Sequence, residues 1–356
     1  MAADGARAAI FRRLLSHQLR ATVRRLVAFS LYYSGLLWLQ ARRRLRGRAV
    51  VLMYHRVLPP DADSCSTEGI VVTPKTFAMH MAFLKRHFHP LSVQEFRDCL
   101  GDGCLPDRSC LVTFDDGWSD NVRFALPILE RFQVPATIFV ATAFVGGSRP
   151  FWQEELTRLL VETGCSANPD EAMLSEVGLS IDRHATDAEI RLAAREVVTD
   201  LKGADLGDVD ALRSRLLPRA QPSDPPAGRY GDDTFMNWGE ACRLACHPLI
   251  TVASHAHSHV PLPRLGRSGA RLDLMQSLQE FRAHDVPATD ICAYPNGDHD
   301  QGTVAAAAES GFSLAFTTVP GSVGAGDDRL RLRRINIHEA ATYTRPEFLC
   351  RLLGLF

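Results

Sequence analysis

Leu111-Val112-Thr113-Phe114-Asp115-Asp116-Gly117 is the stretch that decides the reading of this 356-residue chain. Its first four residues are uncharged and β-prone, the texture of a strand buried on both faces. Two adjacent carboxylates stand where that strand ends, and Gly117 permits a sharp turn. In parallel α/β folds the carboxyl ends of the strands carry the active site. Neighbouring strand residues point to opposite faces, so a turn is needed to bring both carboxylates into one cleft. Two like charges that close need a cation or a proton to separate their roles. Read alone, the same residues are a plain Asp-Asp-Gly turn.

Outward from this stretch, similar apolar runs recur at Ala49–Tyr54, Ala136–Val140, Leu249–Ala253, Ile291–Tyr294 and Leu314–Thr318. Between them lie helical patterns. Thr73 and Pro74 open one as N-cap and first residue, and residues 119–133, 269–284 and 302–310 read as others. Strands that alternate with helices and carry no charge argue an α/β fold, a parallel sheet or barrel. Residues 160–235 break the rhythm. They hold charged helical stretches (Asp187–Leu201, Asp208–Leu217) and a Pro-rich stretch, Pro218–Pro226, and read as an insertion between barrel elements.

Composition narrows the class further. With 46% hydrophobic and 23% charged residues, disordered and low-complexity readings fall away. The net charge of −1 hides an asymmetry, because residues 1–48 hold eleven Arg and one acid, Asp4. Apolar residues recur at helical spacing through this head, and Leu26–Ala41 is uncharged. That run is short for a span, which takes roughly 18–20 apolar residues. A basic amphipathic helix lying on an anionic membrane surface is one expectation, and a covering helix packed on the body is the other. No basic, aromatic-interleaved stripe continues into the body, so no nucleic-acid partner is expected. Nine scattered Cys suit reduced thiols rather than a disulfide framework. Cys242 and Cys246, followed by His247, lack a second pair, so a shared helix face explains them better than zinc.

Three more motifs carry chemistry. Ser254-His255-Ala256-His257-Ser258-His259 follows a strand, and one helical turn would put His255 and His259 on one face. With Asp116 they make a three-ligand set that leaves positions open on a catalytic metal. Ala293-Tyr294-Pro295-Asn296-Gly297 also follows a strand; Tyr294, Pro295 and Asn296 form a candidate oxyanion or substrate loop. Arg334-Ile335-Asn336-Ile337-His338 reads as a late strand with a polar end. The chemistry that follows is hydrolysis of an amide or ester. Asp115 would take a water proton as base and His338 would protonate the leaving group.

In order and spacing these motifs resemble the polysaccharide deacetylases, the NodB-homology or family 4 carbohydrate esterases. Thr113–Gly117 and His255-x-x-x-His259 are the specific pieces, while Tyr294–Gly297 and Ile337-His338 are loose. Val51–Val57 and Phe151-Trp152 resemble the bacterial exopolysaccharide and cell-surface branch. The resemblance covers about Ala49–Ala341. It implies a distorted (β/α) barrel of about seven parallel strands over residues 49–345, with residues 346–356 as a tail. It implies metal-dependent removal of N- or O-acetyl groups from glycans, with a divalent metal, most often zinc. Asp115 would be the base, His338 the acid, and Asp116, His255 and His259 the ligands. The Arg that often braces the base in the third motif is absent at Ala293-Tyr294. Arg334 is the candidate replacement, a rim salt bridge being its other reading. Ala256 stands where Ser or Thr is common. Trp238 is a candidate for the sugar groove, with core packing as the alternative.

An N-acetylated glycan is thus the expected substrate. An O-acetyl esterase and a non-catalytic glycan-binding protein at the membrane surface are the alternatives. The expected location is cytoplasmic, peripheral on the inner membrane, with a periplasm-facing anchor left open.

Overall fold

The computed structural model describes residues 22–147, 150–165, 186–201, 206–217, 232–287 and 289–355. Two helices, α1 over 22–33 and α2 over Leu36–Arg44, precede the first strand. The strands are β1 (Ala49–Tyr54), β2 (Arg56–Val57), β3 (Val71–Val72), β4 (His89–Pro90), β5 (Ser109–Phe114), β6 (Ala136–Val140), β7 (Ile250–Ser254), β8 (Ile291–Ala293), β9 (Leu314–Phe316), β10 (Ser322–Val323) and β11 (Ile335–Asn336). The main sheet runs β10-β1-β5-β6-β7-β8-β9, with β11 also on β1 and β4 on β5. Every pairing in it is parallel except β10 on β1. The sheet curls without closing fully. Phe316 bridges Leu332, and three residues on, Ile335 pairs with Leu52 of β1.

Every residue of β1, β5 and β6 is buried, as continuous apolar strands covered on both faces must be. The two-residue period sorts them. Val50, Leu52, Val112, Phe114, Ile138 and Val252 join the core under the outer helices. Ala49, Val51, Leu111, Phe139 and Ala253 join the core inside the curl. The expected strands all form, shifted by one or two residues at some ends. The outer helices are α3 (Pro74–His87), α4 (Val93–Asp102), α5 (Leu126–Phe132), α6 (Trp152–Gly164), α7 (Asp187–Asp200), α8 (Leu206–Leu216), α9 (Trp238–Ala245), α10 (Gly266–Ala283), α11 (Gln301–Glu309), α12 (Glu339–Thr342) and α13 (Arg345–Leu352). Thr73 caps α3, accepting from the Thr76 N–H at 3.2 Å, with Pro74 next. The expected helix over 119–133 opens instead with a wide turn, Asn121–Ala125, before α5.

Two expectations about the chain's organisation change, and one of the two alternatives for the head is seen in its described part. Residues 346–356 are no tail across α13, where Phe348, Leu349 and Leu352 are buried in the main core. The insertion begins earlier than residue 160, because α6 starts at Trp152 and packs with α7 and α8 in a core of its own. Its Pro-rich stretch lies outside the described residues. The described part of the head, residues 22–48, covers the barrel: Ala28, Leu37, Ala41 and Leu45 are buried in the main core. Residues 1–21 lie outside the described residues.

Candidate active site

The alternation that buries Leu111 and Thr113 inside the curl continues to Asp115, whose N–H still bonds Tyr54 O of β1 at 3.0 Å. There the pleat breaks. Asp116 has φ 79°, and Gly117 follows at φ 85°. A left-handed non-glycine residue costs about 1–3 kcal/mol and persists only where its surroundings over-determine it. The reversal turns Asp116 toward the same cleft as Asp115 instead of the opposite face. Gly117 is needed on two counts, since a Cβ there would also meet Val140 Cγ1 at 3.0 Å.

The fully buried Arg334 holds Asp115 bidentately, Nη1 to Oδ1 at 2.6 Å and Nη2 to Oδ2 at 2.7 Å. Arg334 is itself fixed, because its Nε donates to Thr317 O at 2.8 Å. Burial disfavours the charged carboxyl, but the guanidinium outweighs it and keeps Asp115 below the usual carboxylate range. Trp118 Nε1 donates to Asp116 Oδ2 at 2.9 Å. That leaves Oδ1 facing His259 Nε2 at 3.3 Å and His255 Nε2 at 3.6 Å. The donor atoms of Asp116, His255 and His259 all lie within 4.8 Å of one another.

The two histidines meet by a different route from the expected helical turn. Residues 255–259 form a loop after β7, with Ala256 at φ 61° and His259 at φ 57°. Asp273 of α10 pins this loop by accepting from the N–H groups of His257 (2.7 Å) and Ser258 (3.2 Å). His255 donates its Nδ1–H to Ala293 O at 2.9 Å, which leaves Nε2 bare. Burial pushes the His255 imidazole down to about 4, so it is neutral near pH 7, as a ligand must be. Phe151 stacks on His259 with ring centroids 4.1 Å apart. One carboxylate and two imidazoles, with His255 held by a carbonyl, fit a divalent cation such as zinc.

The cleft around Asp115, Asp116, His255 and His259 has further walls. His55, Asn296 and Thr318 line it from barrel loops. Phe151, Gln153 and Glu154 line it from the start of α6. The sequence motifs do not single out His55, Gln153 or Glu154, which the fold brings to the cleft. His55 follows β1, its carbonyl accepts from Asn121 Nδ2 at 2.9 Å, and its buried Nδ1 has no hydrogen-bond partner among the described residues.

Other expected site residues stand elsewhere. The Tyr294 N–H serves the sheet, bonding Phe316 O at 3.0 Å, and its buried ring sends the hydroxyl to Leu330 O at 3.0 Å. Pro295 is buried, and of that loop Asn296, at φ 57°, is the one that reaches the cleft. Trp238 stacks on His284 at 3.9 Å and packs against the outer core, so it lines no part of the cleft. His338 is half-buried at the N-cap of α12 and is not among the cleft-lining residues. Cys242 donates its Sγ–H to His284 O at 3.2 Å, and Cys246 is the exposed C-cap residue of α9.

Residues 102–241 match the family model for polysaccharide deacetylase, a span that includes Asp115 and Asp116 and ends before the histidines. The Bacillus subtilis (strain 168) protein YxkH, which bears a polysaccharide deacetylase name, is 25% identical over 188 residues, 52% of this chain and 58% of that protein. The poly-beta-1,6-N-acetyl-D-glucosamine N-deacetylase of Staphylococcus epidermidis is 29% identical over 113 residues, 29% of this chain and 39% of that protein. The chain thus matches little more than half the length of these relatives, or less. IcaB from Ammonifex degensii superposes with a TM-score of 0.55 at 20% identity, over 87% of this chain and 99% of that one. The Streptococcus pyogenes deacetylase PplD, solved in complex with acetate, gives 0.53 at 18%, over 86% and 98%. At those identities the shared feature is the fold. The motifs, the curled parallel sheet and the match over residues 102–241 together make this chain similar to the polysaccharide deacetylases.

Proposed function

We propose that the protein is a metal-dependent hydrolase that removes N-acetyl groups from a polysaccharide or oligosaccharide. The observation that carries this is one cleft holding an Arg-clamped carboxylate beside a carboxylate and two imidazoles. Asp116, His255 and His259 would hold a divalent cation, most suitably zinc, which supplies Lewis-acid polarisation and an acidified water when bound. Asp115 is the base. The Arg334 clamp keeps it ionised and oriented, and each carboxylate oxygen retains a second lone pair for the water's proton. His338 is our candidate for the acid that protonates the departing nitrogen. It would have to reach the cleft from the N-cap of α12 once substrate is bound. The staphylococcal relative's name points to N-acetylglucosamine polymers as the first substrates to try.

Acetate release from N-acetylated oligosaccharides with added zinc tests this, with wild type and Asp115→Asn side by side. Release that disappears in the variant is expected. Cleavage of acetyl esters without any amide cleavage would turn the reading to an O-acetyl esterase. Full cellular function in Asp115→Asn would turn it to a glycan-binding protein.

We also propose that α1 and α2 rest on an anionic lipid surface at the cytoplasmic face of the inner membrane. Outside their buried stripe they expose Val23, Leu26, Val27, Tyr33, Leu36 and Leu39. Arg24, Arg42 and Arg43 are exposed beside them. Apolar side chains with an Arg rim suit the headgroup region. No helix among the described residues is long and apolar enough to cross a membrane. Deleting residues 1–48 would uncover the barrel core, so Leu26→Glu with Leu36→Glu is the better probe. Cosedimentation with phosphatidylglycerol vesicles that the double variant retains would sink this reading.

A further inference from the structure

The first turn of α6 lines the cleft and carries two buried acceptor atoms that the fold leaves unsatisfied. Glu154 is 6% exposed yet lines the cleft. Its Oε1 accepts a long bond from Ser66 Oγ at 3.4 Å, and its Oε2 has no hydrogen-bond partner among the described residues. The Oε1 of Gln153, on the same turn and the same wall, is buried and also lacks one. The next residue, Glu155, differs in having a cation: Arg213 Nη2 of α8 donates to its Oε1 at 2.9 Å inside the insertion, although its Oε2 also lacks a hydrogen-bond partner among the described residues. A buried acceptor without a partner costs about 1–3 kcal/mol, and more when charged, so folding alone gives no reason to keep two of them side by side.

The surroundings say what would satisfy them. Arg56, the cation whose charge acts on Glu154, is taken up by Asp120 (Nε to Oδ2, 2.9 Å), Asp233 and the Asp232 carbonyl. Burial and the neighbouring Asp233 push the Glu154 carboxyl up to about 7, and Arg56 counters this only in part. The unpartnered atoms that Gln153 and Glu154 hold on this wall are therefore acceptors, Gln153 Oε1 and Glu154 Oε2. A sugar is rich in donors, and a partly deacetylated glycan adds ammonium groups.

We propose that Gln153 and Glu154 form an acceptor pair that binds an O–H or N–H donor of the glycan, on the acetylated sugar or its neighbour, and so helps to decide which sugar the site takes. This rests on the glycan reading given above. It also gives the inserted helices a role, because they carry the recognition wall against a barrel that carries the hydrolytic groups. Phe151 is the joint, because it is the N-cap of α6 and stacks on His259.

The test is steady-state kinetics of Glu154→Gln, Glu154→Ala and Gln153→Ala with zinc added. The substrates are fully N-acetylated glucosamine oligomers, partly deacetylated oligomers, and 4-nitrophenyl acetate, which has no sugar. For Glu154→Ala, KM on the oligomers should rise about tenfold or more, the value of one hydrogen bond to a charged acceptor. The loss on the aryl ester should be several-fold smaller. The thermal midpoint of the metal-free protein should not fall in Glu154→Gln, because the carboxyl is poorly satisfied in the fold. A larger KM effect on partly deacetylated oligomers would identify an ammonium donor, and equal effects a hydroxyl. Parallel losses on oligomer and ester, or a fall in thermal midpoint that accounts for the loss, would overturn the proposal. If wild type cleaves the ester but no glycan, the deacetylase reading fails. The calorimetric Kd of the oligomers for wild type and Glu154→Ala then decides this inference separately, with an unchanged Kd ending it.

Discussion

Two buried carboxylates face one cleft from two regions of the molecule, and the fold treats them in opposite ways. Asp115, at the rim of the barrel, is clamped bidentately by Arg334 and held below its ordinary range despite burial. Glu154, on the inserted helix, has no such clamp and is pushed up to about 7. The barrel rim is therefore organised before any ligand arrives, as a group that must be ionised and aimed requires. The insertion wall keeps its hydrogen-bonding capacity unspent. That contrast separates chemistry from recognition more clearly than position along the chain does.

The sharpest way to break the comparison is at the barrel rim. Asp115→Asn keeps the shape and removes the proposed base, so acetate release should fall by about 10²–10⁴-fold, the range for one proton-transfer group. Removal of metal with a chelator should abolish release, and zinc should restore it. In His255→Ala, zinc stoichiometry measured by atomic absorption should fall below the wild-type value. Retained stoichiometry would mean the ligand set is wrongly drawn. Arg334→Ala comes next. It strands a buried carboxylate and should destabilise the fold by about 3–5 kcal/mol in denaturant titration, besides impairing release. A fold as stable as wild type would show that the clamp is dispensable.

The insertion side predicts smaller effects with a definite pH signature. The folded state holds the Glu154 proton more tightly than the unfolded chain, whose ordinary value is 4.5 against about 7 here. Stability from that proton is fully present below about pH 4.5 and is lost as pH rises to about 7. Asp233 and Asp116 face Glu154 as acids and Arg56 as the cation, so the acids set the direction. In the metal-free protein, Glu154→Gln should flatten the stability curve across this window. A curve that still falls as steeply would assign the slope to another group. The smallest effect lies farthest from the cleft. Leu26→Glu with Leu36→Glu should weaken vesicle binding while leaving the thermal midpoint within a degree or two, since both side chains are exposed.

Much of the barrel was legible because its strands are continuous apolar runs, and burial on both faces forbids charge on them. The ends drifted by a residue or two where the hydrogen-bond ladder, not the apolar run, sets the last pair. Asp115, Asp116, His255 and His259 were legible because each group is close in sequence. Their route into one cleft was not. The expected helical turn at 255–259 is a loop with two left-handed residues, and Asp116 reaches the cleft through its own left-handed backbone. Tyr294 and Trp238 misled for one reason: aromatic side chains next to a motif look like substrate contacts, yet both pack in cores.

The sequence by itself determined the alternating α/β order, the carboxylates at a strand end and the histidine pair, because these depend on residue type and spacing within a few positions. Only the tertiary structure decided that Arg334 clamps Asp115 across 219 residues, that Trp118 aims Asp116, and that Glu154 looks into the cleft rather than into the insertion. Those outcomes rest on which side chains share a buried, low-dielectric space. The curl of the sheet creates that space, and no local pattern encodes it.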